Sequence, residues 1–340
     1  MDNRGLALQA FVQAYGWQDA ERAELATDAS TRCYDRLFCP VKNRSAVLMN
    51  APVDIGSNIK AFMQVTEILR GYGFSAPEIL GADLENGFLL LEDLGDDLFA
   101  KVCHTDGSLE ASLYQSAIDV LVALHRHAAA AEIAPYDIET YLREARLLTQ
   151  WYLPAATGAP VDSDVSAEFD RLICEACTLV PTGNPVLVQR DYHAENLLWL
   201  PDREGIKRVG LLDYQDALAG HPAYDLVSLL EDARRDTSAM LRSEMLLRYL
   251  DKTGVDETSF KQAYSILGAQ RNLKILGIFT RLYLRDDKAQ YLDLMARVWQ
   301  HLQRDLEHSS LAGLKGWIAQ NVPKPSETII AKIRATARDA

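Results

Sequence analysis

The segment Gln189-Arg190-Asp191-Tyr192-His193-Ala194-Glu195-Asn196 sets an aspartate five positions before an asparagine. A second apolar run then ends in Leu211-Leu212-Asp213-Tyr214-Gln215-Asp216. These residue types suit phosphoryl transfer, which asks a protein mainly for positioning and charge neutralisation. One carboxylate must orient the attacking hydroxyl and accept its proton, and oxygen ligands must hold Mg²⁺ on the phosphates. Asp191 reads as the base, with Asn196 and Asp213 as Mg²⁺ ligands. All three would come from one hairpin whose apolar strands can hold them closely. D-x-x-x-x-N is weak by itself and gains weight from the flanking strands and the Asp at the end of the second. The plainer alternative makes Asp191 and Asn196 turn residues and Asp213 a strand-end cap.

Several elements must position these groups. Residues 6–23 read as an amphipathic helix, 24–39 as a turn flanked by strand, and 44–51 as a short apolar strand. Residues 57–72 read as a helix with Ser57 as N-cap, and 77–92 as two strands around Glu85-Asn86-Gly87. Helix then dominates: 109–130, 138–153, 166–180, 222–235, 238–252, 257–276 and 287–308. A strand-rich insert, PVLVQRDYH, NLLWL and KRVGLLDYQ, interrupts these helices and carries the chemistry. The implied fold class is α+β. A small β-rich lobe over residues 1–92 is followed, after a connection near Glu92, by a larger helical lobe over 93–340.

The chain has 340 residues and 35 Lys plus Arg against 48 Asp plus Glu, a formal charge of −13. That balance argues against non-specific binding to nucleic acid or an anionic membrane, so a phosphate site must be local. The first residues lack the charge pattern of a signal peptide, and no run approaches the length of a membrane span. Five scattered cysteines fit a reducing compartment, which makes the expected location cytoplasmic. Cys174 and Cys177 form a C-x-x-C on a helical stretch without a second pair at zinc-site spacing, and read as ordinary helix residues.

The whole chain resembles the aminoglycoside phosphotransferase-like kinases. VQRDYHAENLLW matches that family's H-G-D-x-H-x-x-N motif, and GLLDYQDA matches its I-D-F motif. The resemblance implies a bilobal, protein-kinase-like fold, ATP with Mg²⁺, Asp191 as base, and Asn196 and Asp213 as metal ligands. GHPAYDLVSLL matches the following family segment, which implies that Asp225 starts a helix and supports the catalytic loop. Leu124-His125 matches the end of a long helix, with His125 structural. Thr27-Asp28-Ala29-Ser30-Thr31-Arg32-Cys33-Tyr34, Leu91-Glu92-Asp93-Leu94-Gly95 and Leu273-Lys274-Ile275-Leu276-Gly277-Ile278-Phe279 narrow the resemblance to one branch. That branch holds the anomeric kinases of the cell-wall amino sugars N-acetylmuramate and N-acetylglucosamine.

The chain also departs from the wider family. Asp28, Ser30 and Thr31 stand where a glycine-rich loop would cover the phosphates. The strand lysine falls near Met49 and its helical Glu partner near Phe62, both apolar. Losing both together is coherent, because a buried Glu without its Lys is costly. Arg32, then Arg36, is the candidate replacement cation, against a plain surface arginine. Leu91 and Glu92 would meet adenine through their backbone. Gln189, Asp216, Arg271 and Asn272 are candidates for the acceptor side. An arginine there suits a lactyl carboxylate, whereas the plainer alternative for Arg271 is a helix-surface charge. His193 reads as a packing or hydrogen-bonding residue. The partner is a small amino sugar, with no nucleic acid and no membrane. The alternatives are a kinase for another hydroxylated molecule such as an aminoglycoside, or a non-catalytic nucleotide-binding protein.

Overall fold

Gly16, with φ of +73°, ends the first helix early, and the alternation Glu-Arg-Ala-Glu-Leu that follows is strand. The expected helix over 6–23 is therefore helix α1 (Asn3–Ala14) and strand β1 (Glu21–Leu25). The computed structural model describes residues 3–25, 32–51 and 59–336. Strands β2 (Cys33–Cys39), β3 (Arg44–Asn50), β4 (Ile79–Asp83) and β5 (Phe88–Glu92) join β1 in one antiparallel sheet of order β1-β2-β3-β5-β4. Helix α2 (Ile59–Gly71) lies between β3 and β4 in the chain; the N-cap expected at Ser57 falls outside the described residues. Leu37, Ala46, Leu48, Phe88 and Leu90 from the sheet pack with Leu8 and Phe11 of α1.

Helices α3 (Phe99–Thr105) and α4 (Glu110–Leu124) follow. The helix expected over 138–153 is instead α5 (Ile138–Ala145), a π-helical turn (Leu148–Tyr152) and α6 (Leu153–Thr157). Pro154, which has no backbone N–H, stands in the first turn of α6, where that loss is tolerated. Then come α7 (Ser163–Thr178), α8 (Ala223–Leu230), α9 (Ala239–Thr253), α10 (Glu257–Asp286), α11 (Met295–Asp305), α12 (Ala312–Asn321) and α13 (Glu327–Thr336). Among the described residues no helix is long and apolar enough to cross a membrane.

The insert holds four strands: β6 (Val186–Val188), β7 (Leu197–Trp199), β8 (Val209–Leu211) and β9 (Leu218–Gly220). They form two separate ladders, β6 with β9 and β7 with β8, rather than the single hairpin expected for all three chemical residues. The chain divides into two compact units that cut this insert. One contains residues 1–120 and 195–217, and the other 121–194 and 218–340. Asp191 lies in the second unit, and Asn196 and Asp213 lie in the first.

α10 is the axis of the second unit. Every residue from Ile266 to Gly277 is buried, so this stretch turns no side to solvent. The 30-residue helix runs ten residues past its expected end, to the left-handed cap Asp287. Gly277 is where α10 meets the chain just before the π turn: a Cβ there would stand 2.2 Å from the Leu147 carbonyl carbon. Gly277→Ala is expected to destabilise the protein by about 3 kcal/mol or more, since backbone cannot yield as a side chain does. Gly316→Ala, at an exposed helical position with open space around it, should instead gain up to about 1 kcal/mol. Urea unfolding of the two variants checks both; equal midpoints would contradict the close approach.

Candidate active site

In the second unit, β6 runs into the segment that carries Asp191. Arg190, one residue earlier, has φ of +72°, a left-handed conformation that a non-glycine residue keeps only when its surroundings impose it. Asp225, in the first turn of α8, imposes it. Its Oδ2 accepts the Gln189 N–H and its Oδ1 the Arg190 N–H, both at 2.8 Å. Asp225 is fully buried, and burial pushes its carboxyl up to about 7 while the two amide bonds pull the other way. Asp225 thus braces the segment that carries Asp191, the structural support that the resemblance implied.

Asp191 is half-buried. Burial acts to raise its pKa, but the charge of Lys274, then His193, Arg190 and Arg271, outweighs it and holds the carboxyl below its ordinary value. It is therefore an ionised acceptor at neutral pH, able to orient a hydroxyl. His193 is buried and pushed down to about 4, mainly by burial, with Nε2 3.4 Å from Arg234. A neutral ring packed this way fits a hydrogen-bonding role. His125 is likewise pushed down to about 3 by burial, and its Nδ1 lies 2.8 Å from the Tyr249 hydroxyl.

In the first unit, the β7–β8 pairing Leu197↔Leu211 puts Asn196 and Asp213 at the same end of the ladder. The Leu212 N–H donates to the Asn196 carbonyl at 3.0 Å and fixes that end. Asp213 is exposed, with φ of +56°, and accepts from Gln215 Nε2 at 2.8 Å. An amide oxygen beside a carboxylate suits Mg²⁺, a hard cation that takes its other ligands from phosphate and water. Asp216 is exposed beside this turn, with Gln215 Nε2 at 3.4 Å. Arg32 hydrogen-bonds Tyr34, and the charge of Asp213 reaches Tyr34 as well; burial is the main reason the Tyr34 pKa is raised. Arg32 and Asp213 thus both act on Tyr34. Arg36 does not serve as its substitute, being held by Asp93 at 2.8 Å and Asp96 at 2.7 Å.

Met49 and Phe62 are both buried and apolar, as read from the sequence. Phe62 stacks on Tyr214 with ring centroids 5.3 Å apart, and Thr66 Oγ1 lies 2.7 Å from the Tyr214 hydroxyl. Helix α2 thus reaches the Asp213 segment through an aromatic stack and a hydrogen bond instead of an ion pair. Leu91 pairs with Val47 and Ile79 inside the sheet. The Glu92 side chain is tied to Arg203 at 2.6 Å. Asp28, Ser30 and Thr31 lie outside the described residues.

On α10, Arg271 is buried, not a surface charge; its Nη2 donates to Ser228 at 2.9 Å, while Nη1 has no partner among the described residues. Asn272 is buried too, and its Nδ2 donates to Glu231 at 2.8 Å and Asp305 at 2.9 Å. Gln189 gives its backbone N–H to Asp225, and its buried Nε2 lacks a partner among the described residues. Two residues not singled out in the sequence belong to this surrounding: Lys274, whose charge acts on Asp191, and its ion-pair partner Glu144, 3.0 Å away. A lysine within the apolar run Leu273 to Phe279 was the available signal for Lys274. Nothing local marks Glu144. Cys174 and Cys177 lie on α7 with free thiols, both pushed up by burial, Cys177 to about 12. That is the opposite of a reactive pair.

Residues 35–260 match the model of the phosphotransferase enzyme family, APH. A curated N-acetylmuramate/N-acetylglucosamine kinase of Caulobacter vibrioides is 37% identical, over 94% of this chain and 97% of its own length. One from Pseudomonas aeruginosa is 33% identical, over 92% of this chain and 93% of its own. Among solved structures, the gentamicin complex of APH(2")-IIa covers 92% of this chain with 98% of its own, at a TM-score of 0.62 and 14% identity. That likeness shows the fold, the α+β kinase-like architecture with a β-rich lobe and a larger helical lobe. The chain belongs to the phosphotransferase enzyme family, on the branch of relatives that carry the name N-acetylmuramate/N-acetylglucosamine kinase.

Proposed function

We propose that the protein transfers the γ-phosphoryl group of ATP to the anomeric C1 hydroxyl of N-acetylmuramate, N-acetylglucosamine or both. The product is the sugar 1-phosphate, made in the cytoplasm for cell-wall recycling. The observation that carries this reading is the Asp191 segment braced by Asp225 through the Gln189 and Arg190 amides, where the charges of Lys274, Arg190 and Arg271 act to hold the Asp191 carboxyl below its ordinary value. An anomeric hydroxyl is more acidic than an ordinary alcohol, so a carboxylate of lowered pKa suffices as its base. Asp191 takes the proton as the sugar oxygen bonds to the γ-phosphorus and the bond to the ADP oxygen breaks. Asn196 and Asp213 would hold Mg²⁺, which supplies charge neutralisation on the phosphates.

Arg32, with Asp28, Ser30, Thr31 and the backbone of Leu91 and Glu92, would serve the nucleotide, within residues 1–92. Gln189, Asp216 and Arg271, within residues 93–340, would serve the acceptor. Asn272 would join them through its buried Oδ1, which has no partner among the described residues, since its amide nitrogen is committed to two buried acids. The cations around Asp191 also weigh against a polycationic aminoglycoside, whose charges they would repel.

ADP release with ATP and Mg²⁺ should occur with the two free amino sugars and not with a 1-O-methyl glycoside or kanamycin. Turnover on kanamycin alone would discard the amino-sugar reading. Silence across the panel would favour a non-catalytic nucleotide-binding protein.

A further inference from the structure

Glu144 on α5 belongs to no motif, yet it is only 9% exposed. A buried carboxylate persists only with partners, and Glu144 has three. Its Oε1 accepts from the Arg190 guanidinium. Its Oε2 lies 3.0 Å from Lys274 Nζ and accepts the Tyr136 hydroxyl at 2.5 Å. These partners come from different parts of the unit. Lys274 is on α10, Arg190 is on the catalytic segment, and Tyr136 precedes α5. Arg190 also lies over the Tyr136 ring, 5.5 Å from its centroid, and Lys274 Nζ is 3.3 Å from the Tyr224 hydroxyl on α8. Glu144 therefore ties α5, α10 and the strained Arg190 to one point, with Asp191 as the next residue in the chain.

We propose that Glu144 is a positioning residue for phosphoryl transfer. It anchors Arg190 and Lys274 together, so that the catalytic segment and a fixed cation are both held in place for Asp191. This rests on reading Asp191 as the base. The physical reason is charge. Without Glu144, two buried cations face each other with no anion between them, and their repulsion moves the side chains that define the segment. A shift of about 1 Å there costs on the order of 100-fold in rate. Since Glu144 touches neither nucleotide nor metal ligands in this reading, substrate affinity should be spared.

The test is steady-state kinetics on Glu144→Gln, Lys274→Met, the double variant, and Asp191→Asn, with thermal midpoints for each. Glu144→Gln should lower kcat about 10- to 100-fold with KM for ATP within about twofold. The double variant removes one charge of each sign and so leaves no pair of facing cations, with Arg190 the one cation of the group. Its kcat should be no lower than that of the worse single variant, because both residues act through one assembly. Phe169→Leu, a core change against Trp317 on another face of the unit, supplies a destabilised control that should keep wild-type kcat. Wild-type kcat in Glu144→Gln, losses that multiply in the double variant, or an equal kcat loss in Phe169→Leu at matched stability would each overturn the proposal. If Glu144→Gln fails to fold, the double variant carries the same test. Full activity in Asp191→Asn would instead overturn the base assignment beneath it, which keeps the two failures apart.

Discussion

Asp191→Asn is expected to lower kcat by about 1,000-fold while leaving the fold intact. A positioned general base contributes about 10² to 10⁴ in rate, and asparagine keeps the shape while removing the proton acceptor. KM for ATP should change little, because in the proposed reaction Asp191 meets the acceptor hydroxyl and not the nucleotide. Stability should fall modestly as well. The folded carboxyl sits below its ordinary value, so its contribution is present above the unfolded pKa and lost as pH falls through the folded one. At neutral pH the wild type holds that contribution and the asparagine variant does not. Steady-state kinetics beside thermal melts checks both parts. A kcat within tenfold of wild type would remove Asp191 from the base position.

The second large effect belongs to Asp225, which touches no substrate in this account. Its two oxygens each accept one backbone N–H, from Gln189 and Arg190. Asparagine offers one acceptor oxygen and turns an NH₂ toward the other N–H. Leaving a buried donor unsatisfied costs about 1–3 kcal/mol, and releasing Arg190 from its left-handed backbone displaces Asp191. We expect Asp225→Asn to lower kcat about 100-fold. Its pH behaviour is distinctive. Burial raises the folded carboxyl from 3.8 to about 7. The folded state therefore binds this proton more tightly than the unfolded chain does, and stability from this group declines as pH rises between those values. Activity should move the other way. Only the ionised form accepts both amides, so kcat falls as pH drops below about 7. The asparagine variant should lose that inflection in both melting and rate profiles, and an inflection that persists would place its source elsewhere.

The candidates Asp191, Asn196 and Asp213 stand out in the sequence because phosphoryl transfer asks for a carboxylate base and oxygen ligands on apolar strands, and Asp225 stands out only through the family resemblance. Strand pairing was less legible. β9 is three residues, Leu-Ala-Gly, with no alternation to mark it. Its partnership with β6 separates the Asp191 segment from the β7–β8 ladder. α10 reads short because its last ten residues, Gly277 to Asp286, open on a glycine and carry β-branched and aromatic residues, which are weaker helix formers. Burial of the stretch from Ile266 to Gly277 inverted the surface reading of Arg271. Glu144 was illegible for a different reason: its partners Arg190 and Lys274 lie 46 and 130 positions away, and only folding brings them together.

The most direct measurement is ³¹P–¹H correlation NMR of the product formed from N-acetylmuramate or N-acetylglucosamine with ATP and Mg²⁺. Phosphorus coupled to the anomeric proton is the predicted result. Phosphorus coupled to a proton at any other carbon would contradict an anomeric kinase, even with turnover intact.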